Sequence, residues 1–216
     1  MPSDLQFYLG DKVFVYAGNQ TGWITEIKSA GYGMTDVRIT LNNGKVIDES
    51  ILNSTPDTFC LYAYYQLVNT SVAGHYYWAD KNVLPSSNPL YHLEKVYFTS
   101  VKIKDRNIVI TAKRASSGKP VTFKLPITGK LTEQLEKGFY VKDPKKAFPK
   151  WPAKVWEKIT HQRISIGMTR EQVLLSWGYP DDSSSYTSSY AGVEQWIYGN
   201  TYLHFYNGIL DSWSDY

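Results

Sequence analysis

The sequence predicts an α+β chain that is mostly β, and three observations carry that expectation. Short runs of β-branched and aromatic residues, separated by Gly, Asn, Asp and Ser turns, recur through the first 130 residues. Aromatic residues make up 15% of the chain, with 18 Tyr and 7 Trp, and large rings favour pleated, half-buried surfaces. Near the C-terminus two short amphipathic segments with helix signals precede three further strand-like runs. At 216 residues and 43% apolar content there is room for one large domain or two to three small ones.

Residues 1–57 read as four short strands: Lys12 to Ala17, Gly22 to Ser29, Asp36 to Leu41 and Lys45 to Glu49. Val37, Ile39 and Leu41 share one face opposite Arg38 and Thr40. Asn43-Gly44 between two runs signals a tight hairpin. Strands this short at this spacing predict a small antiparallel barrel. Their order, GDKVFV, GWITEI, DVRITL, NGKVI, resembles SH3-like barrels of the Tudor and KOW type.

Residues 58–130 continue the β character and read as a basic region, a second small β domain or strands added to the first. The apolar run Phe59 to Val68 fits a buried strand or a helix, and periodicity alone does not choose. After a Pro85 to Pro89 loop come Lys95 to Ile103, Asn107 to Lys113 and Pro120 to Leu125. Val96, Phe98 and Ile103 do not hold one phase, which predicts a bulge or bend near Ser100. Ile108, Ile110 and Ala112 alternate cleanly, as do Val121, Phe123 and Leu125, with turns at Asp105-Arg106 and Ser116 to Gly118. A three-stranded meander follows from this order.

Residues 131–150 read as a connector. Thr132 to Lys137 offers a helix start, but Gly138, Pro144, Pro149 and the lysines from Lys142 to Lys150 predict a solvated linker.

Residues 151–216 carry the clearest local instruction. Pro152 to His161 places Val155, Trp156 and Ile159 on one helical face, with Pro152 suited to a first turn. Thr169 and Gln172 form a capping box, Met168 and Val173 occupy the positions of a hydrophobic staple, and Gly178 and Pro180 end the helix. The expected apolar stripe is Val173, Leu174 and Trp177. Asp181 to Val193, rich in Ser and Tyr, reads as a mobile loop. Glu194 to Tyr198, Thr201 to Tyr206 and Ile209 to Trp213 read as strands joined by two-residue turns at Gly199-Asn200 and Asn207-Gly208.

Gly167-Met168-Thr169, Val173, Gly178-x-Pro180, Trp196-x-Tyr198, Phe205 and the Asn207-Gly208 turn together resemble the SmpA/OmlA (BamE-like) family over about the last 60 residues. That resemblance implies an ααβββ domain which docks to other proteins and has no catalytic role, in a family that serves bacterial outer-membrane barrel assembly. Family members are usually lipid-anchored through a cysteine that follows a signal peptide, a pattern missing from the start of the sequence given. The compartment therefore stays open: periplasmic or envelope-associated with an export signal ahead of Met1, otherwise cytoplasmic. No partner-binding residue of the family can be matched position by position.

Charge is unevenly spread. Residues 95–150 hold 14 Lys/Arg against 4 Asp/Glu, although the whole chain is only +3. The candidate anion- or partner-binding set is Lys102, Lys104, Arg106, Lys113, Arg114 and Lys119, with Lys124, interleaved with Tyr97 and Phe98. A second candidate surface is aromatic: Tyr16, Trp23 and Tyr32 near barrel loops. No apolar run is long enough to span a bilayer.

Motifs for chemistry are missing. There is no GxSxG elbow, Gly118-Lys119 lacks the rest of a phosphate loop, and Gly31-Tyr32-Gly33 lacks the rest of a dinucleotide fingerprint. His75, His92, His161 and His204 are scattered without metal-ligand spacing, Asp181-Asp182 reads as a solvated turn, and the single cysteine, Cys60, reads as a buried thiol. We expect no cofactor and no metal. The leading expectation is a non-enzymatic modular protein-interaction protein of the bacterial cell envelope. The alternative is an intracellular nucleic-acid- or anion-binding protein; an enzyme acting on cell-wall or acyl substrates has no residue-level support.

Overall fold

The computed structural model describes residues 7–52, 56–127, 135, 137–187 and 192–216. It is mostly β, built from curled antiparallel sheets with a few short helices. The chain divides into two units, Met1–Tyr77 with Lys95–Glu136 and Trp78–Glu94 with Lys137–Tyr216.

The first unit opens with β1 (Lys12–Val15), β2 (Gln20–Gly31), β3 (Met34–Leu41), β4 (Val46–Leu52) and β5 (Phe59–Leu61), hydrogen-bonded in the order β4-β3-β2-β1-β5. Alternation sets its core: Val37, Ile39 and Leu41 are buried, as are Val13, Val15, Ile24 and Phe59. The Asn43-Gly44 hairpin forms, with Gly44 left-handed at φ 81° and its N–H donated to Leu41 O at 2.9 Å.

The run from Phe59 to Val68 turns out to be both things. Phe59 and Cys60 pair with Val15 and Phe14 as β5, and the backbone then turns into α1 (Tyr62–Ser71). The chain next passes through β6 (Tyr76–Ala79), which crosses from the first unit into the second.

A meander of β7 (Lys95–Lys104), β8 (Asn107–Arg114) and β9 (Pro120–Pro126) makes up most of the rest of the first unit's described residues. The bulge falls where the broken phase predicts it, between Phe98 and Ser100. Thr99 is the extra residue, so Phe98 and Val101 can both face inward. The β7–β8 turn is Asp105-Arg106, both left-handed at φ 49° and 56°. That makes it a two-residue hairpin of type I′.

In the second unit, Trp78 and Ala79 of β6 pair with β10 (Phe139–Tyr140). Then follow α2 (Pro144–Ala147), α3 (Ala153–Thr160), α4 (Arg170–Trp177) and the strands β11 (Asp182–Thr187), β12 (Gly192–Tyr198), β13 (Thr201–Tyr206) and β14 (Ile209–Asp215). The last four form one antiparallel sheet in chain order. Trp156 and Ile159 of α3, Val173 of α4 and Met168 just ahead of α4 are buried against Trp196, Leu203, Phe205 and Leu210 on one face of it.

Several details depart from the sequence reading. The Ser- and Tyr-rich segment expected as a loop forms edge strand β11 up to Thr187, held by its ladder to β12; residues 188–191 lie outside the described residues. The expected helix start at Thr132 to Lys137 falls mostly outside them too. The rest of the stretch read as a solvated connector is built into the second unit. Asp143 caps α2 by accepting from Lys145 N at 2.9 Å, and Phe148 stacks on Trp151 at 4.0 Å against the core. Finally, α4 buries more than the narrow stripe: Gln172, Leu175 and Ser176 are enclosed along with Val173, while Leu174 and Trp177 are half-buried. Polar Gln172 and Ser176 tolerate this because each is bonded, Gln172 Oε1 to Thr169 N at 3.0 Å and Ser176 Oγ to Arg163 O at 2.9 Å.

Candidate functional site

The predicted basic set divides between several places. Lys102, Lys104 and Lys113 project from the outer face of the meander, with Lys124 beside them. In register, Lys102, Val109 and Lys124 form one row and Tyr97, Lys113 and Pro120 another. Among the described residues none of these four lysines has an ion-pair partner. Arg106 lies apart in the β7–β8 turn and pairs with Asp57 at 2.7 Å. Arg114 sits opposite buried Val96, off the lysine face, and Lys119 belongs to the following turn, where its O accepts from Arg114 N at 3.0 Å. Of the two interleaved rings, Phe98 is core and unable to stack on a ligand. Tyr97 stays half-buried on the outer side, 5.0 Å from the ring of Tyr76.

The aromatic trio does not form one surface. Tyr16 is buried, hydrogen-bonded to the Cys60 thiol, and burial raises its pKa well above that of an ordinary phenol. Trp23 is 47% exposed near the start of β2, whereas Tyr32 stands fully exposed past its far end, in the turn to β3. The side chains that do gather are Lys12 and Phe14 from alternate positions of β1, Trp23 of β2, and Tyr62 and Tyr65 of α1. Lys12 Nζ lies 4.1 Å from the centroid of Tyr62 and 5.8 Å from that of Trp23. Tyr62 stacks on Tyr65 at 5.6 Å, and Tyr65 on Phe14 at 4.0 Å. The alternation of Lys12 and Phe14 with core residues Val13 and Val15 was the available signal for this second face.

Beside that stack lies a groove of about 620 Å³, within the first unit. Tyr65 and Asn69 of α1, with Ala73 just past its end, form one wall, Phe14 and Asn19 stand at it, and β7 from Thr99 to Lys104 forms the other side. Its volume is that of a ligand site. Asn69 Oδ1 is buried there without a hydrogen-bond partner among the described residues. A smaller polar cleft on β2–β4 is occupied by its own ion pairs, Arg38 bridging Glu26 at 3.0 Å and Asp48 at 2.7 Å.

In the second unit the helices cover one face of the β11–β14 sheet and leave the other open. Register places Tyr186, Val193, Tyr206 and Ile209 in one row across all four strands. They are 71, 44, 52 and 41% exposed. The adjacent row, Ser184, Gln195, His204 and Ser212, is polar.

The remaining candidates have structural partners. Cys60 is buried and desolvation pushes its thiol up to about 12. Asp181 accepts from Gly199 N at 2.7 Å and so holds the β12–β13 turn. His161 ends α3, its ring bonded to Glu157 O at 2.7 Å. His92, which no local pattern marks, is a buried strut in the second unit, contacting Leu175 O, Lys81 N and Asp80. No His, Cys, Asp and Glu cluster suited to a metal occurs among the described residues.

Comparison with known protein families, curated proteins and solved structures finds no match to this chain.

Proposed function

We propose that the chain is a non-enzymatic, modular protein-interaction protein of the bacterial cell envelope, and that a protein partner docks on the open face of the β11–β14 sheet. The observation that supports this reading is the row Tyr186, Val193, Tyr206 and Ile209, one exposed apolar or aromatic side chain from each strand. A single exposed ring is ordinary; an aligned row beside a polar row has the make-up of a contact surface. The envelope setting rests on the SmpA/OmlA-like pattern of the last 60 residues, and an SH3-like first sheet is part of the same proposal. The test is retention of a partner from envelope extract of the source cell. The Tyr206→Ser/Ile209→Ser double variant should melt like the parent and lose that partner, whereas Lys102→Gln/Lys104→Gln should keep it. Retention by the face variant would sink the reading.

A second reading, a nucleic-acid- or anion-binding protein, is favoured by the four lysines on the meander face that have no ion-pair partner among the described residues. Its signature is binding of a labelled single-stranded oligonucleotide that weakens steeply with salt and with Lys→Gln substitution at Lys102 and Lys113.

A further inference from the structure

We propose that the groove along β7 is a second docking site, on a different unit from the open sheet, and that it takes an extended acidic peptide as an added β-strand. The β7–β8 hairpin fixes which backbone groups face it. In a two-residue hairpin the flanking pair, here Lys104 and Asn107, exchanges both hydrogen bonds, and bonded pairs then alternate. Lys102 therefore bonds to Val109, and the N–H and C=O groups of Val101 and Ile103 point away from β8.

Both of those residues border the groove although their side chains are buried, so backbone is what they present to it. This edge of β7 is occupied only as far as Phe98, which accepts from Gly74 N at 2.8 Å and donates to His75 O at 3.0 Å. Beyond it, no hydrogen bond among the described residues reaches Val101 or Ile103 on that side. Edge groups of this kind are a template for an incoming strand. Asn69 of α1 lines the opposite wall.

Charge selects the peptide. Lys102 and Lys104 also line the groove, lie on one face two residues apart, and are unpaired among the described residues. Side chains directly across an added strand come within about 5 Å of each other. The preferred ligand therefore carries carboxylates two residues apart, an acid–x–acid pattern in extended conformation. Proline, which lacks an N–H, is excluded at peptide positions that must donate to Val101 or Ile103. A nucleic acid would use the lysines and ignore the backbone edge, which separates the two ligand classes.

The test uses the full chain and three fluorescein-labelled probes: the peptide Gly-Glu-Val-Glu-Val-Glu-Gly, its copy N-methylated at both valines, and a thymidine oligonucleotide of similar charge. Anisotropy should show the plain peptide binding, with at least tenfold loss for the N-methylated copy and for the Lys102→Gln/Lys104→Gln protein. Both substituted lysines are surface residues, so the variant is expected to fold. The amides of Val101 and Ile103 should gain hydrogen-exchange protection with peptide bound. Equal binding of the N-methylated copy, tighter binding of the oligonucleotide, or no binding by the plain peptide would each overturn the proposal.

Discussion

The ring of His92 hydrogen-bonds through Nε2 to the carbonyl oxygen of Leu175, at 2.7 Å across 83 residues of sequence. The other ring nitrogen accepts from Lys81 N at 3.2 Å, so the imidazole is neutral with its proton on Nε2. Asp80 Oδ1 lies 3.6 Å from Nδ1, and Asp80 Oδ2 accepts from Tyr140 OH at 2.7 Å. One buried side chain thereby ties the loop after β6 and strand β10 to helix α4.

Acid should loosen this tie. Burial lowers the His92 pKa below its ordinary 6.5, and this outweighs the opposing pull of the Leu175 carbonyl and Asp80. Between the folded and unfolded values the unfolded chain binds more protons, so stability falls as pH drops below about 6.5 and levels off under the folded value. Urea unfolding at pH 7.5, 6.0 and 5.0 should show this decline, and His92→Gln should flatten it while costing about 2 kcal/mol at pH 7.5. An unchanged pH slope in the variant would assign the effect to other groups.

Thr169 is the other pinning point. It caps α4 through a reciprocal box with Gln172, and the residues just before it pair with β14: Gly167 N donates to Leu210 O at 2.8 Å, and Leu210 N to Met168 O at 2.7 Å. Thr169→Ala should cost about 1 kcal/mol, and Thr169→Ser should recover most of it. Hydrogen exchange at Gln172 should rise in the alanine variant alone.

What the sequence disclosed and what it hid follow one physical rule. Features set by neighbours a few residues apart were legible: the Val37, Ile39, Leu41 face, the bulge near Ser100 and the capping box at Thr169. Strand β11 was not, because Ser183, Ser184 and Ser185 carry no apolar alternation and the ladder alone holds them. The His92–Leu175 bond was not, because no local pattern marks it. The candidate groove was half-legible. Lys102 and Lys104 stood out by charge, whereas Val101 and Ile103 read only as core and reveal their backbone edge once the hairpin register is known.

Cys60 should be chemically silent in the folded chain. With desolvation holding its pKa near 12 against the opposing hydrogen bond from Tyr16, only about one molecule in 10⁴ is thiolate at pH 8. Ellman's reagent should label it slowly in native buffer and at once in guanidinium. Complete labelling within a minute without denaturant would contradict the burial of this thiol.

Gly22 is required for space rather than for backbone freedom. It pairs with Leu41, and a Cβ placed on it would lie 2.6 Å from Thr40 O and 3.1 Å from both Ile39 Cγ2 and Leu41 Cα. Two of those three atoms are backbone, which cannot yield without pulling β2 from β3. Gly22→Ala should therefore cost about 2 kcal/mol by overpacking. Gly192, which begins β12 with nothing within 4 Å of its virtual Cβ, is the control. Gly192→Ala should change stability by less than about 0.5 kcal/mol. Chemical denaturation of both variants separates the explanations: equal losses would mean the cost is generic to Gly→Ala in strands, and a loss confined to Gly22 means the β2–β3 contact closes the first sheet too tightly to admit one methyl group.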